Sequence, residues 1–216
     1  MNFSEFQTRL YKQIQRDDLL ADDRYKVFIN DALQEIQKRR SFALMKKTAD
    51  VVIANGTKNG VLPVDFKEFQ NVRPPIQIVL NDPSTGQEVL KPVDVVFELQ
   101  ETNRVWNFGG LVWTVRIIAL DDSGTKSIEI IVPAAEDLTF RTRYYRYLPA
   151  LVADGDTSPF IDLYPQMVLW KAKEIAFGEI NDFIAEKEAQ MKFEEKFLRA
   201  TQQDAFSSNA GLALRM

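Results

Sequence analysis

Tyr144-Tyr145-Arg146-Tyr147-Leu148-Pro149-Ala150-Leu151-Val152-Ala153-Asp154-Gly155-Asp156-Thr157-Ser158-Pro159-Phe160-Ile161-Asp162-Leu163 is the stretch on which the reading of the fold turns. Its aromatic start reads as a strand, Leu148-Pro149 stops that strand, an acidic Gly-containing turn follows, and a long helix opens behind Pro159. Here the apolar period switches from 2 to 3.6. Everything upstream to residue 49 carries strand and turn signals, and what lies downstream to residue 200 is helical.

At the other end, residues 3–45 also read as helical. Ser4 followed by Gln7 fits a capping box, and Phe6, Leu10 and Ile14 recur at helical spacing. After a break at Arg16-Asp17-Asp18, a second helix is capped near Asp22 or Asp23. Its apolar stripe is Tyr25, Phe28, Ile29, Ala32, Leu33 and Ile36, with Asn30, Asp31, Gln34, Gln37 and Lys38 opposite.

The central block is β by its turns. Val51-Val52-Ile53, the dipeptides Asn55-Gly56 and Asn59-Gly60, and Val61-Leu62 predict a strand, a turn-rich loop and a second strand. Leu62-Pro63-Val64-Asp65-Phe66 reads as a strand stop with Asp65 capping a short turn. Arg73-Pro74-Pro75 is stiff and leads into Ile76 to Leu80, and Asn81 to Gly86 is a turn by composition. Pro92-Val93-Asp94 predicts a short helix from Asp94 to Gln100, since Asp caps well before an apolar run. Val105 to Phe108, the Gly109-Gly110 turn, Leu111 to Leu120, the Asp121-Asp122-Ser123-Gly124 turn, Ser127 to Val132 and Asp137 to Tyr147 complete an antiparallel meander.

In the last block Met167, Val168, Leu169, Trp170, Ala172, Ile175, Ala176, Phe177, Ile180, Phe183 and Ile184 are apolar around most of a helix. Such a helix is buried on more than one side, in a core or against neighbouring subunits. Residues 185–199 turn charged, with Phe193 and Phe197 four apart. Unbroken, 165–200 spans ~54 Å; the alternative is a hairpin split at Asn181-Asp182. Thr201 to Met216 shows no periodicity. The expected class is α+β: a helical bundle made by residues 1–48 and 149–200, an antiparallel β insertion at 49–148, and an extended tail at 201–216.

Composition narrows function. With no His and no Cys among 216 residues, disulfides, thiol catalysis, most structural zinc, the commonest general base and the commonest metal ligand are removed. No cofactor or metal is expected. Apolar content of 45%, including 15 Phe, is enough to fill a core. The 27 basic and 31 acidic residues are evenly mixed, so no basic block offers the counterion release that drives tight phosphate binding. Met1-Asn2-Phe3-Ser4-Glu5 lacks a leader pattern. Lys171, Lys173, Glu174 and Glu179 interrupt the most apolar stretch, so a membrane span is not expected. These features predict a soluble product made in a cytoplasm.

Candidate chemistry is thin. Asp154/Asp156 and Asp121/Asp122 are carboxylate pairs of the kind a glycosidase-type hydrolase uses, but both sit in Gly-containing turns where Asp bonds nearby backbone. Asp154-Gly155-Asp156-Thr157-Ser158 lacks the spacing and terminal Glu of a calcium loop. Asn107-Phe108-Gly109-Gly110 is followed by no Gly-Lys-Ser/Thr and opens no helix. Arg141, Arg143, Tyr144, Tyr145, Arg146 and Tyr147 interleave cations with aromatics, suited to stacking single-stranded nucleic acid or, with no basic groove elsewhere, to a strand with two faces. Phe206, Leu212, Leu214, Arg215 and Met216, set among small residues, suit an extended segment lying in a partner's groove.

Taken in order, these residues resemble a family. Ile29-Asn30-Asp31-Ala32-Leu33-Gln34-Glu35-Ile36 with Arg39, then Leu62-Pro63-Val64-Asp65-Phe66, then Tyr144-Tyr145 with Leu148-Pro149-Ala150-Leu151 carry the likeness. The acidic stretch Asp154 to Pro159, the helix Tyr164 to Phe177 and the Phe193/Phe197 helix complete it. Over most of residues 23–200 the chain is similar to the head-to-tail adaptor (connector) proteins of tailed bacteriophages. The resemblance implies a non-enzymatic virion protein built as a helical bundle with a β insertion. It implies a homo-oligomeric ring, commonly of twelve subunits, under the portal protein, extending the channel through which DNA passes without specific binding. A C-terminal segment reaching the portal is also implied. The large β block looks like the version in short-tailed phages, where it faces tail nozzle or fibre proteins. The alternative is a carboxylate-dependent, virion-associated hydrolase.

Overall fold

The computed structural model describes every residue except 17–18, 20–22, 71–75, 82–84, 97–113, 120–125, 131–133 and 214–216. The chain divides into a helical unit, residues 1–45 with 148–216, and a β unit, residues 46–147.

The helical unit contains α1 (Phe3–Ile14), α2 (Arg24–Arg39), a 3₁₀ turn (Ala43–Met45), α3 (Pro159–Leu163), α4 (Pro165–Glu179) and α5 (Phe183–Ala213). The capping box of α1 lies two residues earlier than Ser4 and Gln7. Asn2 Oδ1 accepts the Glu5 N–H at 2.8 Å, and Glu5 Oε2 accepts the Asn2 N–H at 3.0 Å. Phe3 is fully buried along with Phe6, so the first turn must include it. α2 starts at Asp23, which takes a left-handed φ of 55° and makes no side-chain cap bond; Asp17, Asp18 and Asp22 lie outside the described residues.

α4 accounts for its own all-round apolarity: it packs on α1, α2, α3 and α5, with Met167, Val168, Leu169, Ala172 and Ala176 buried. That part of its apolar surface belongs to the core of one subunit, while Trp170, Ile175, Phe177 and Ile180 remain partly exposed. The 165–200 stretch is split, as the Asn181-Asp182 alternative predicts. Asn181 adopts φ 58°, a left-handed turn Asn tolerates, and Asp182 Oδ1 accepts the Ala185 N–H at 3.1 Å to cap α5. α5 then runs back antiparallel to α4. Lys171 Nζ lies 5.3 Å from the Phe193 ring, and an added Cβ on Gly178 would sit 3.3 Å from Glu186.

Two expectations fail at the ends of this unit. Helix stops at Arg39, and strand begins at Lys46, so the 1–48 segment is not helical to its end. Residues 201–213 are helix rather than extended chain. The buried face of α5 continues through Ala189, Phe193, Ala200 and Asp204. Because its last member is a carboxylate, the helical period was hidden. Asp204 Oδ1 accepts the Ala43 N–H at 2.8 Å, and extending an existing helix costs little once nucleation is past.

The β unit holds β1 (Lys46–Ile53), β2 (Asn59–Val61), β3 (Phe66–Phe69), β4 (Ile76–Asn81), β5 (Glu88–Val96), β6 (Thr114–Ala119), β7 (Lys126–Ile130) and β8 (Leu138–Arg146). Strand order is β1-β8-β4-β5-β6-β7-β2, with β3 also on β8. All pairs are antiparallel except β5–β6, which is parallel, with Asp94 opposite Thr114. The expected meander is not what forms: only β4–β5 and β6–β7 are antiparallel pairs of consecutive strands, whereas β1, β3 and β4 all pair with the distant β8 and β2 pairs with β7. Residues 97–113 are long enough for the crossover the parallel pair needs. Asp94, Val95 and Val96 are strand and not the start of a helix. The β-branched run favours a ladder, and Pro92 is tolerated because β6 pairs only beyond it, from Asp94.

The sheet curls so that β2, at one end, lies over β1, at the other. Gly60 decides this: a Cβ there would stand 2.7 Å from Val51 Cγ1 and 2.9 Å from Ile53 Cγ1. Asn59-Gly60 is thus strand, while Asn55-Gly56 is the turn, with Gly56 at φ 77°. One core fills the curl, including Val51, Ile53, Phe66, Ile78, Ile128 and Phe140. The Arg141–Tyr147 stretch is a two-faced strand. Thr142 and Tyr144 point into the core, while Arg143 is exposed and Arg141 is held by Asp50 at 2.9 Å.

Candidate interaction surfaces

The residues that carried the resemblance turn out to be fasteners. Asn30 grips the backbone of Leu151 with both ends of its amide, donating to the carbonyl and accepting the N–H, each at 2.9 Å. Gln37 Oε1 accepts the Leu148 N–H at 2.6 Å. Leu148-Pro149-Ala150-Leu151 is irregular chain beside a helix, so its backbone groups need side-chain partners. Two amides seven residues apart on α2 supply them. Gln37 is only 4% exposed, so it does not belong to the solvent face the apolar stripe assigned to it. The signal was its position at the edge of that stripe.

The acidic turn acts the same way. Asp156 carboxylate accepts the N–H groups of Val152 and Ala153 at 2.7 and 2.8 Å, which holds its pKa below the usual carboxylate range. The carbonyls of Asp154 and Asp156 accept the Ser4 and Phe3 N–H groups, satisfying the otherwise unpaired start of α1. Asp154 and Asp156 are engaged in holding a turn; Asp121 and Asp122, like Asn107 to Gly110, lie outside the described residues. Among the described residues, no three His, Cys, Asp or Glu side chains gather as a metal site would require.

In the β unit, Asp65 sits in the expected short turn, closed by the Phe66 N–H on the Pro63 carbonyl at 2.9 Å, but its side chain is bonded elsewhere. Its carboxylate accepts the Tyr144 hydroxyl and the Lys47 ammonium, both at 2.8 Å, and its carbonyl accepts the Tyr147 N–H. Burial opposes ionisation of Asp65, but the bonds from Lys47 and Tyr144 and the nearby Arg146 outweigh it, so its pKa lies below the usual range. Burial and the Asp65 carboxylate together push the Tyr144 phenol well above its ordinary value.

Between α2, α4 and α5 lies a cleft of about 360 Å³ lined by Glu35, Lys38, Arg39, Lys171 and Phe193. Arg39 makes a two-pronged bond to Glu194 at 2.5 and 2.6 Å, with its guanidinium 4.4 Å from the Phe197 ring centre. The Glu194 pKa is lowered by that bond. Lys171 bridges Glu35 at 2.8 Å and Glu174 at 2.9 Å. Burial disfavours its ammonium form, yet the two carboxylates more than compensate and its pKa is raised. The cations Arg39 and Lys171 are each answered by carboxylates, so the cleft works as a three-helix clamp.

Of the expected docking residues, Phe206 and Leu212 fall on the last turns of α5. Leu214, Arg215 and Met216 lie outside the described residues. Elsewhere on α5, Phe183, Ile184, Met191 and Leu198 are exposed apolar side chains, a feature the sequence reading had absorbed into the buried part of the hairpin or passed over.

The polar side chains described above fasten segments of a helical bundle and of an inserted β unit. Residues 1–214 match the family described as SU10 adaptor protein. The chain belongs to that family, which is one of phage head-to-tail adaptors, and is an adaptor structural protein of a bacteriophage. No curated protein matches the chain. Among the described residues, no helix is long and apolar enough to cross a membrane.

Proposed function

We propose that this chain forms a ring in the virion at the head–tail junction, joining the portal protein to the tail and extending the DNA channel. The observation that carries the reading is the family match across residues 1–214. In this reading, helical units build the ring, of twelve copies as the resemblance implies, and β units meet nozzle or fibre components of the tail. Residues 201–216, with Phe206, Leu212, Leu214, Arg215 and Met216, dock on the portal or on a neighbouring subunit.

Two further observations support it. The net charge of −4, evenly mixed, suits a channel that lets DNA pass without gripping phosphate. α5 continues to Ala213, nine residues past Asp204, which is bonded to the Ala43 N–H.

Removal of residues 206–216, which leaves Asp204 in place, tests the docking arm. Mass photometry of adaptor mixed with portal protein should show wild type joining the portal in a ring-sized increment. The truncated chain should lose attachment by at least tenfold, with an unchanged circular dichroism spectrum. Undiminished attachment refutes docking through the C-terminus; a wild-type chain that stays monomeric and ignores portal refutes the adaptor reading.

A further inference from the structure

The outer face of α5 carries a row that nothing among the described residues of the chain covers. Ile184, Met191 and Leu198 are 85%, 66% and 58% exposed, and they stand seven residues apart. On a helix this spacing stacks side chains into one line. Phe183, 65% exposed, widens the row at its start, and the exposed Ala205 continues it. Ala189, Phe193, Ala200 and Asp204 are buried on the bundle side. Four large apolar side chains this exposed leave an uncovered strip of roughly a few hundred Å², the range in which a patch marks a contact surface. From Ile184 to Leu198 the row is ~21 Å long at 1.5 Å per residue. What covers it must be similarly long and straight, as a helix is.

Charge narrows the occupant, and the ring reading supplies it. Flanking the row, Glu188, Glu194 and Glu195 are matched by Lys187, Lys192 and Arg199. Several are already paired: Glu195 with Arg199 at 2.8 Å and with Lys196 at 3.3 Å, and Glu194 with Arg39. A surface balanced in this way does not attract a polyanion such as DNA, and it carries no net charge to repel another copy of itself.

We infer that the Ile184–Met191–Leu198 row is the surface through which one copy of this chain packs against the next, helix against helix. The inference rests on the ring reading above and names its lateral contact. Glu188 and Glu195 flank the row on one side, four residues on from Ile184 and Met191. Two rows meeting antiparallel would bring these carboxylates together. In the ring reading the contact is the head-to-tail kind that closes rings, so the row seats on a different helical face of the neighbour.

The absence of cysteine makes the test clean. Met191→Cys provides a single thiol for a benzophenone maleimide. Illumination of the assembled protein, alone or on portal, should give an adduct of twice the chain mass. An adduct of chain plus portal, or no adduct from an assembled sample, overturns the inference. In parallel, Met191→Glu should weaken self-association at least tenfold at unchanged circular dichroism, while Val64→Glu, on a fully exposed side chain of the β unit, should not. If wild type assembles and Met191→Glu assembles equally well, this surface is wrong and the ring reading stands. If wild type never assembles, alone or with portal, the ring reading is what fails.

Discussion

Replacing Gly60 by Ala should loosen the β unit, and the structure sets the size of the effect. The new methyl would lie 2.7 Å from Val51 Cγ1, 2.9 Å from Ile53 Cγ1 and 3.1 Å from the Val52 carbonyl oxygen. Val51 and Ile53 are core residues at 2% and 0% exposure, so neither can swing aside into solvent. Overpacking of this kind costs about 1–3 kcal/mol. Against it, Ala restricts the unfolded chain and returns about 0.4–1 kcal/mol. The clash wins, by about 1–2 kcal/mol, or roughly 5–15 °C in the melting temperature of a unit this size. Gly155→Ala is the control. Its added methyl meets nothing within 4 Å and its φ is not in the left-handed region, so only the entropy gain should remain. Gly56→Ala also meets open space but sits at φ 77°, and should cost about 1 kcal/mol through backbone strain alone. Thermal unfolding followed by circular dichroism gives the magnitudes, and hydrogen exchange on β1 and β2 localises them. In the double variant Val51→Ala/Gly60→Ala, the vacated space should take up the new methyl, making the pair less harmful than the sum of its parts by about 1 kcal/mol. If Gly60→Ala matches or exceeds wild type in stability, β2 does not lie on β1 and the curled sheet is wrong.

Asp65→Asn should cost about 1–2 kcal/mol at neutral pH by weakening the bonds to Tyr144 and Lys47. The Asp65 pKa is lowered on folding, so its contribution is complete above the ordinary Asp value near 3.9 and is lost as pH falls through the lower folded value. The gap between wild type and variant in urea titrations should therefore close below about pH 4; a gap that widens in acid would refute this. Arg39→Ala removes the two-pronged bond to Glu194 and the stacking on Phe197. Because both partners of the ion pair are almost half exposed, solvent screening limits the pair to about 0.5–1 kcal/mol. The ring contact adds a similar amount. Arg39→Lys should recover less than half of the loss, since an ammonium cannot make the planar fork; full recovery in urea unfolding would show that charge alone mattered.

Local spacing was enough for much of this molecule. The stripe Tyr25–Phe28–Ile29–Ala32–Leu33–Ile36 determined α2 and its buried face, because a 3.6-residue period admits one amphipathic solution. The turn at Asn181-Asp182 was legible as an alternative because Asn tolerates a left-handed φ. Asp154 to Pro159 was legible as a turn, because Asp bonds neighbouring backbone wherever it sits. What sequence could not separate were residues alike locally but different in their distant partners. Asn55-Gly56 and Asn59-Gly60 are the same dipeptide, yet one turns the chain and the other lets β2 lie against β1. Asn30 and Gln37 look like solvent-facing amides until an irregular segment more than a hundred residues away presents its unpaired backbone to them. Asp204 conceals the last turns of α5 because a buried carboxylate reads as a break until the Ala43 N–H is found beside it. In each case the deciding term is the burial of a group whose partner is remote in sequence. That partner exists only once the chain has folded, so the choice was made by tertiary structure.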